Sequence, residues 1–181
     1  MVKKFEEKMD KTIESLQREY NSIRAGRANP HVLDKIKVDY YGTPTPLQQV
    51  GNISVPEARQ IVIQPWEPSL LKVIEKEINQ SDLGIHPQND GKVIRLTFPE
   101  LTEERRKELV KDVKKKAEAA KVAIRNIRRE AHDALKKAHK NSEITEDELA
   151  DKEEEVQKMT DKYIKKIEGI MDEKSKEVLT V

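Results

Sequence analysis

Two arginines stand around a small Ala-Gly pair in SIRAGRANP, the stretch that runs from Ser22 to Pro30. Arg24 and Arg27 close the first helical pattern of the chain, and a proline follows them closely. A guanidinium group at a helix C-terminus complements the negative end of the helix dipole. It also forms two-point hydrogen-bonded pairs with phosphate oxygens. Both interpretations fit the pattern, so the arginines either complete the helix or bind an anion outside the protein.

A second arginine cluster lies in the sequence IRNIRRE. Arg125, Arg128 and Arg129 stand at positions i, i+3 and i+4, which fall on one side of a helix. If the helices that flank the middle segment of the chain both end at that segment, Arg125 lies about 35 Å from the crossing, at 1.5 Å per residue. The two clusters are therefore separate candidate sites. Spacing alone leaves open whether this side is solvated and paired with acids or binds phosphate groups.

The residue types that commonly carry out catalysis are absent from the sequence or do not form a recognisable catalytic motif. The chain has no cysteine, its four histidines have no cysteine or carboxylate cluster at metal-ligand spacing, and it has no glycine-rich phosphate loop. His132 and His139 are expected to be exposed helix residues. The acidic run at 153–155 is expected to be a solvated face, because consecutive helical residues point in different directions. We therefore expect a protein that is not an enzyme and that uses no catalytic residue, metal or cofactor.

Three aromatic side chains stand near glycine and proline residues in the middle of the chain. They are Tyr40, Tyr41 and Trp66. Aromatic rings stack on nucleic-acid bases in some proteins, but beside such turns they more often pack in the core or against the turn itself. Packing is the expectation for all three.

Composition indicates long helices in water. Of 181 residues, 35% are hydrophobic, 38% are charged and 4% are aromatic, which favours narrow apolar seams surrounded by solvent. No run approaches the roughly 18 apolar residues of a membrane span, and no signal peptide is recognisable, so we expect a cytoplasmic protein. Residues 105–140 carry 14 Lys or Arg against 5 Asp or Glu, whereas residues 143–177 carry 7 against 13. The two segments either pair with each other or leave part of the basic one free for a polyanion.

Apolar residues recur at alternating spacings of three and four in three segments, and this pattern predicts three helices. Thr102 is the predicted N-cap of the second helix, and Thr145 with Glu148 forms a predicted capping box at the start of the third. The three stripes are Phe5, Met9, Ile13, Leu16, Tyr20 and Ile23; Leu109, Val113, Ala120, Ile124, Ile127, Ala131 and Leu135; and Leu149, Val156, Met159, Tyr163, Ile167 and Ile170.

Between the first two helices the pattern changes to that of short strands. IKVDYYG, ISV, IVIQ and VIRLTF are rich in β-branched residues, and GTPTP and Asn-Asp-Gly are predicted turns. One short helix, PSLLKVIEKEI, begins at Pro68, and its predicted packing face is Leu70, Leu71, Ile74 and Ile78. The sequence thus predicts a discontinuous three-helix domain, residues 1–29 and 102–181, with a small β/α domain at residues 30–101 inserted into it.

The chain crosses twice between the two predicted domains. The first crossing contains Asn29 and Pro30, and the second contains Pro99, Glu100 and Leu101. Proline restricts the backbone of each crossing without fixing the angle between the domains. Two short crossings therefore predict a hinge that bends but resists twisting.

Longer motifs of the chain resemble the bacterial ribosome recycling factor family. They occur in order between about residues 21 and 130: IRAGRANP, VDYYGTPTPLQQVGNISVPEAR, IVIQPW, SDLG, IRLTFPELTEERRKELVK and IRNIRRE. The resemblance implies an α+β fold in which a long antiparallel three-helix bundle carries an inserted small β/α domain, giving an L shape with a flexible hinge.

The resemblance also implies a function. Family members enter the post-termination ribosome and, with elongation factor G and GTP, separate the subunits and release mRNA and tRNA. The bundle would lie on large-subunit ribosomal RNA, and the positions that match the family's RNA-contacting arginines are Arg24, Arg27, Arg125, Arg128 and Arg129. We expect a monomer whose partners are the ribosome and elongation factor G, with no membrane partner. A ribosome-associated structural or stress protein, or a coiled-coil adaptor, is the alternative.

Overall fold

The structure, a computed structural model, describes residues 1–23 and 28–180 of the chain. Its three long helices are those that the apolar stripes predict. None of the helices in the described ranges is both long and apolar enough to cross a membrane. The helices are α1 (Val2–Asn21), α2 (Leu71–Gln80), α3 (Glu103–Lys140) and α4 (Glu146–Leu179).

The predicted stripes form the buried seam of these helices. Every stripe residue of the first two helical patterns is buried, including Ile23 just beyond the end of α1. In α4 the four central stripe residues are buried, while Leu149 and Ile170 are half-buried. Because aromatic residues are few, this seam consists mainly of aliphatic side chains, and its stability comes from many small contacts along its length.

The two predicted caps are confirmed. The Thr102 hydroxyl accepts a hydrogen bond from the backbone N–H of Arg105 at 3.1 Å. The Thr145 hydroxyl accepts one from the backbone N–H of Glu148, also at 3.1 Å. Each cap satisfies an N–H group that has no partner inside its own helix, so both helix starts are fixed by local sequence.

Polar contacts set the direction and register of α1 against α3. The Lys8 ammonium lies 2.9 Å from the Glu130 carboxylate. Further along α1, the buried Tyr20 hydroxyl donates to the backbone oxygen of Val113 at 2.6 Å. Residue numbers rise along α1 as they fall along α3, so the two helices are antiparallel.

Helix α4 is antiparallel to α3 for the same reason. Lys121 lies 3.3 Å from Glu168, and further along α3 the His132 ring lies 3.9 Å from Glu153. The Tyr163 hydroxyl of α4 donates to the Asp10 carboxylate of α1. Burial and that hydrogen bond raise the pKa of Tyr163, so its hydroxyl stays a donor at physiological pH.

The segment between α1 and α3 forms two antiparallel sheets. One sheet pairs β1 with β2, and the other has the strand order β3-β4-β6-β5. The Asn-Asp-Gly turn is confirmed, because Asp90 bonds back to Val93 and Gly91 has φ +90°. The strands are β1 (Lys37–Tyr40), β2 (Thr43–Pro46), β3 (Gly51–Glu57), β4 (Gln60–Pro65), β5 (Gln88–Asn89) and β6 (Ile94–Thr97).

Strand β2 departs from the sequence prediction, which assigned all of GTPTP to a turn. Only Gly42 belongs to the turn, with φ +83°, and Thr43–Pro46 pairs with β1. Pro44 and Pro46 are two residues apart, so their missing N–H groups fall on the same edge of the strand. Since β2 has one partner strand, that edge needs no donors and the prolines are tolerated there.

The predicted face of the short helix is confirmed. Pro68 begins a 3₁₀ turn that leads into α2, and all four predicted face residues are buried. They join the aliphatic core that the sheet residues Ile61, Ile63 and Leu96 also build. This core shares no residue with the helical seam, so it stabilises the β/α unit independently.

The chain divides into two compact units. One comprises residues 1–20 and 108–176, and the other comprises residues 21–107 and 177–181. In the second unit both predicted crossings begin beside the turn between β3 and β4. There the N–H of Ala28 bonds to the oxygen of Ala58 at 2.5 Å, and the N–H of Phe98 bonds to the oxygen of Arg59 at 2.7 Å.

The predicted crossing residues lie in short irregular or capping segments. The Asn29 side chain accepts from the N–H of His31 at 3.0 Å and caps the 3₁₀ turn that begins at Pro30. Residues 98–102 have no regular secondary structure between β6 and α3. The domain limits and the hinge itself stay predictions.

Alanine substitutions at two glycines should change the stability of the protein in opposite directions. At Gly51 an added Cβ would lie 2.6 Å from the backbone oxygen of Gln64, whereas at Gly169, inside α4, it would meet nothing within 4 Å. We expect Gly51→Ala to destabilise the protein by about 2 kcal/mol or more. Gly169→Ala should stabilise it by about 0.5–1 kcal/mol, because alanine favours the helix. Urea unfolding of both variants checks this, and equal effects would contradict the packing.

Tyr20 should make stability depend on alkaline pH. Burial first, then the charges of Asp112 and Glu19, raise the pKa of Tyr20 from 10 to about 12. The stability that neutral Tyr20 contributes is therefore complete below pH 10 and is lost as pH rises through 12. Tyr20→Phe should cost about 1 kcal/mol at pH 7 and flatten the decline above pH 10. Unfolding curves from pH 7 to 12 measure this, with exposed Tyr41→Phe as control; an unchanged alkaline slope would refute it.

Candidate nucleic-acid interface

The five predicted arginines fall into two groups in the structure. Arg24 and Arg27 lie outside the described residues, so their prediction rests on sequence. Arg125, Arg128 and Arg129 all lie in α3, within the bundle unit. The exposed and half-buried surface around these three is the candidate interface.

Arg125 and Arg129 are exposed and stand one turn apart on the side of α3 that faces away from the seam. The seam residues nearest to them in sequence, Ile124 and Ile127, are buried on the opposite side. Arg129 has no ion pair and no hydrogen bond with any residue in the described ranges. Its guanidinium is therefore available to a ligand with all of its donors.

Arg125 has one weak internal partner. Its Nη1 lies 3.6 Å from Oε1 of Glu118, two turns earlier on the same helix, and the two side chains are 48% and 62% exposed. Exposed pairs of this kind contribute about 0–1 kcal/mol, because water screens the charges and both side chains lose rotamer freedom. A phosphate group can displace Glu118 at little cost.

Arg128 differs from its two neighbours. It is half-buried and turned towards α4, where its Nη1 donates to Oε1 of Gln157 at 3.2 Å. The Gln157 amide in turn donates to Asp161 at 3.0 Å, which fixes the orientation of the glutamine. The Nε atom of Arg128 is buried and has no hydrogen-bond partner in the described part of the chain. Spacing predicted one shared face, but only Arg125 and Arg129 share it fully.

Lysines extend the positive surface along α3. Six of them are exposed and have no ion-pair partner among the residues that the structure describes: Lys111, Lys114, Lys115, Lys136, Lys137 and Lys140. Lys121, by contrast, is paired with Glu168 of α4. Pairing between the basic and acidic helices thus accounts for part of the charge at their shared border, and most cations on the opposite side of α3 have no ion-pair partner among the described residues. We call this side, from Lys111 to Lys140, the basic face.

An exposed large apolar side chain, Val122, lies on the basic face. Val122 is 47% exposed and precedes Arg125 by one turn and Arg129 by two. The spacing of the arginines did not predict a role for Val122, which is recognised here only by its exposure. An exposed β-branched residue one turn from an arginine offers van der Waals contact to a sugar or base while the guanidinium groups hold phosphates.

Two sequence expectations outside the arginines are settled by the packing. His139 is exposed as expected, but His132 is half-buried against Glu153, so the expectation for His132 was wrong. It lies on the α4 side of α3, a position that periodicity alone did not separate from the solvent side. In the acidic run, Glu154 and Glu155 are exposed as expected, and Glu154 pairs with Lys158 at 3.1 Å, whereas Glu153 is half-buried, so the expectation holds only in part. Across the described ranges, no group of three or more His, Cys, Asp or Glu side chains could hold a metal ion.

Comparison with known proteins gives a consistent result. The family model described as ribosome recycling factor matches residues 16–179. The ribosome-recycling factor of Caldicellulosiruptor bescii is 69% identical over 176 residues, 97% of this chain and 96% of that protein. That of Lachnoclostridium phytofermentans is 65% identical over 180 residues, 99% of this chain and 98% of that protein.

Solved structures agree. A solution structure of the ribosome recycling factor is 44% identical and superimposes with a TM-score of 0.83, covering 99% of this chain and 95% of that one. Models of the T. thermophilus ribosome recycling factor and the E. coli elongation factor G bound to the E. coli post-termination complex include a chain that matches with a TM-score of 0.68 at 44% identity, covering 99% and 97%.

Long helices with a small β domain and a basic face, together with these matches, define a translation factor. The chain belongs to the ribosome recycling factor family.

The different settings of the arginines predict different effects on stability. Arg128→Ala removes the bond to Gln157 and the packing of a half-buried stem, so it should cost about 1 kcal/mol and lower the melting temperature by about 2–4 °C. Arg129→Ala should change the melting temperature by less than about 1 °C, because the side chain is exposed and has no partner among the described residues. Thermal unfolding by circular dichroism measures both. Equal melting temperatures for the two variants would contradict the assignment.

Proposed function

We propose that this protein recycles ribosomes. It binds the post-termination ribosome through large-subunit ribosomal RNA and, with elongation factor G and GTP, promotes dissociation into subunits and release of mRNA and tRNA. The observation that carries the proposal is the excess of positive charge on the basic face of α3 in a member of the ribosome recycling factor family. The related T. thermophilus factor, described together with elongation factor G on a post-termination complex, supports it.

The basic face supplies the binding energy. Arg125 and Arg129 provide planar donors for phosphate oxygens, and the exposed lysines add charge without fixed geometry. Each phosphate that is neutralised releases counterions, so affinity falls as salt rises. Arg128 contributes one edge of its guanidinium while Gln157 holds the other. Arg24 and Arg27 form a second contact at the predicted hinge end.

The two predicted domains have different roles in this proposal. The helical domain, residues 1–29 and 102–181, holds the RNA, and the β/α domain, residues 30–101, receives the force that elongation factor G generates with GTP. That force passes through Asn29-Pro30 and Pro99-Glu100-Leu101. The protein itself catalyses no reaction and acts as a cytoplasmic monomer.

A subunit-splitting assay tests the function. Post-termination ribosomes are mixed with the protein, elongation factor G and GTP, and light scattering follows the loss of joined subunits. The double variant Arg125→Ala/Arg129→Ala should require at least tenfold more protein for half-maximal splitting. The matched control, Lys158→Ala/Lys165→Ala, removes two exposed cations from α4 and should behave as the unmodified protein. GTP-independent binding without splitting by the unmodified protein would favour the adaptor alternative.

Glu118 should weaken binding, because its negative charge lies on the basic face beside Arg125. Glu118→Gln frees Arg125 and removes a repulsive charge, so affinity for the large subunit should rise about two- to fivefold at 50 mM salt. The gain should shrink towards 300 mM. Glu154→Gln, which opens another exposed pair, with Lys158 on α4, is the control and should change nothing. Binding isotherms at three salt concentrations measure this, and weaker binding by Glu118→Gln would refute the phosphate role of Arg125.

A lock across the two crossings tests the hinge. The chain has no cysteine, so one cysteine introduced into each crossing can form a single disulfide. The oxidised protein should keep most of its ribosome affinity, because the basic face is untouched, yet split ribosomes several-fold more slowly. Reduction of the disulfide should restore the rate. If the oxidised protein splits ribosomes as fast as the reduced one, the protein acts as a rigid wedge rather than a lever.

A further inference from the structure

A carboxylate held by two tyrosines lies on the β/α unit, whereas the basic face belongs to the bundle unit. The hydroxyl of Tyr40 donates to Oε1 of Glu67 at 2.9 Å. The hydroxyl of Tyr41 shares its proton between Oε1 at 3.4 Å and Oε2 at 3.3 Å. The two rings meet edge to face, with centroids 4.5 Å apart. Glu67 is thus oriented by neighbours at the end of the β1–β2 hairpin.

The surroundings of this carboxylate leave its charge uncompensated. Glu67 has no ion pair with any described residue, although it is only half-exposed. Tyr40 packs partly against the aliphatic core, as expected for it, and its hydrogen bond to Glu67 raises its pKa. Tyr41 is 82% exposed and Trp66 is 67% exposed, so the packing expectation was wrong for these two rings. The result is an anionic group beside an exposed aromatic face.

The backbone of Tyr41 is strained to present this ring. Tyr41 has φ +49° and Gly42 has φ +83°, the pattern of a tight hairpin turn between β1 and β2. Asparagine or glycine adopts the left-handed conformation at the first position far more readily than tyrosine does. A non-glycine residue in this region is a cost that is typically retained at functional sites. The turn itself does not require tyrosine at this position, so the contribution of Tyr41 is its exposed ring.

We propose that Tyr41 and Glu67 bind an arginine side chain of a protein partner. The guanidinium group donates to the lone pairs of the Glu67 carboxylate that the tyrosine hydroxyls do not use, and its plane stacks on the face of Tyr41. Tyr40 is a positioning residue that holds the carboxylate. RNA is disfavoured as the occupant, because an uncompensated carboxylate repels phosphate groups. This surface and its partner go beyond the proposed binding of ribosomal RNA by α3.

An NMR titration of the full chain tests the site. The probe is acetyl-Gly-Arg-Gly-amide, and the backbone amide signals of Tyr41, Gly42 and Glu67 are followed. These signals should shift on titration, and the matched citrulline peptide, which has the same shape without the charge, should bind at least tenfold more weakly. Glu67→Gln should weaken binding at least fivefold. The exposed carboxylate variant Asp82→Asn is the control and should leave binding unchanged.

Tyr41→Gly separates a binding role from a structural one. Glycine adopts the positive φ without cost, so this variant should unfold at an unchanged or higher temperature while losing the arginine peptide. Three results would overturn the proposal: equal binding of the citrulline peptide, full affinity in Glu67→Gln, or shifts caused instead by a uridine-rich oligonucleotide and strengthened in Glu67→Gln. Because the assay contains no ribosome and no altered residue of α3, such a failure would leave the proposed ribosome binding intact.

Discussion

Most of the positive charges on the basic face of α3 have no ion-pair partner among the residues that the structure describes. One side of α3 must supply the seam against α1 and α4, and its borders exchange ion pairs with both neighbours. The remaining side collects arginines and lysines whose mutual repulsion would be relieved by any nearby polyanion. A negatively charged partner is therefore the natural complement of this helix. RNA fits that requirement through its regularly spaced phosphates.

The seam fixes where those charges stand. A long apolar stripe made mainly of aliphatic residues is tolerant of sliding, since aliphatic contacts are similar from one turn to the next. Directional bonds remove that freedom: Tyr20 bonds to the backbone of α3, and Tyr163 bonds to Asp10 of α1. Arg128 adds a bond to Gln157 at the border with α4. The guanidinium groups are consequently presented from a helix in one register, which reduces the ordering cost of binding.

Sequence reasoning succeeded where one local rule decides the outcome. Stripes of period 3.6 gave the three long helices, and Thr102 and Thr145 marked two helix starts, because capping depends on neighbouring residues alone. It failed where two rules compete. GTPTP contains strong turn residues, yet β2 has a free edge that tolerates its prolines, and sheet pairing prevails.

The positions of the α3 arginines along their helix could be predicted because helical spacing is a local rule. Spacing placed Arg125, Arg128 and Arg129 on one side of a helix, but only tertiary packing separates the exposed pair from Arg128, which reaches α4. The partial burial of His132 and the exposure of Tyr41 likewise depend on neighbours that are distant in sequence or on turn geometry. The placement of these three arginines on one helix was therefore predictable from sequence, whereas the direction of each side chain was not.

Directed cleavage of ribosomal RNA from the basic face tests the central claim most directly. Because the chain lacks cysteine, Val122→Cys provides a single attachment point for an iron chelate that generates hydroxyl radicals between the turns of Arg125 and Glu118. With the labelled protein bound to post-termination ribosomes, we predict strong cleavage of large-subunit RNA at a few discrete positions. An identical chelate at Lys165→Cys on α4 should cleave weakly. Strong cleavage from Lys165→Cys with none from Val122→Cys would contradict the binding of RNA by the basic face.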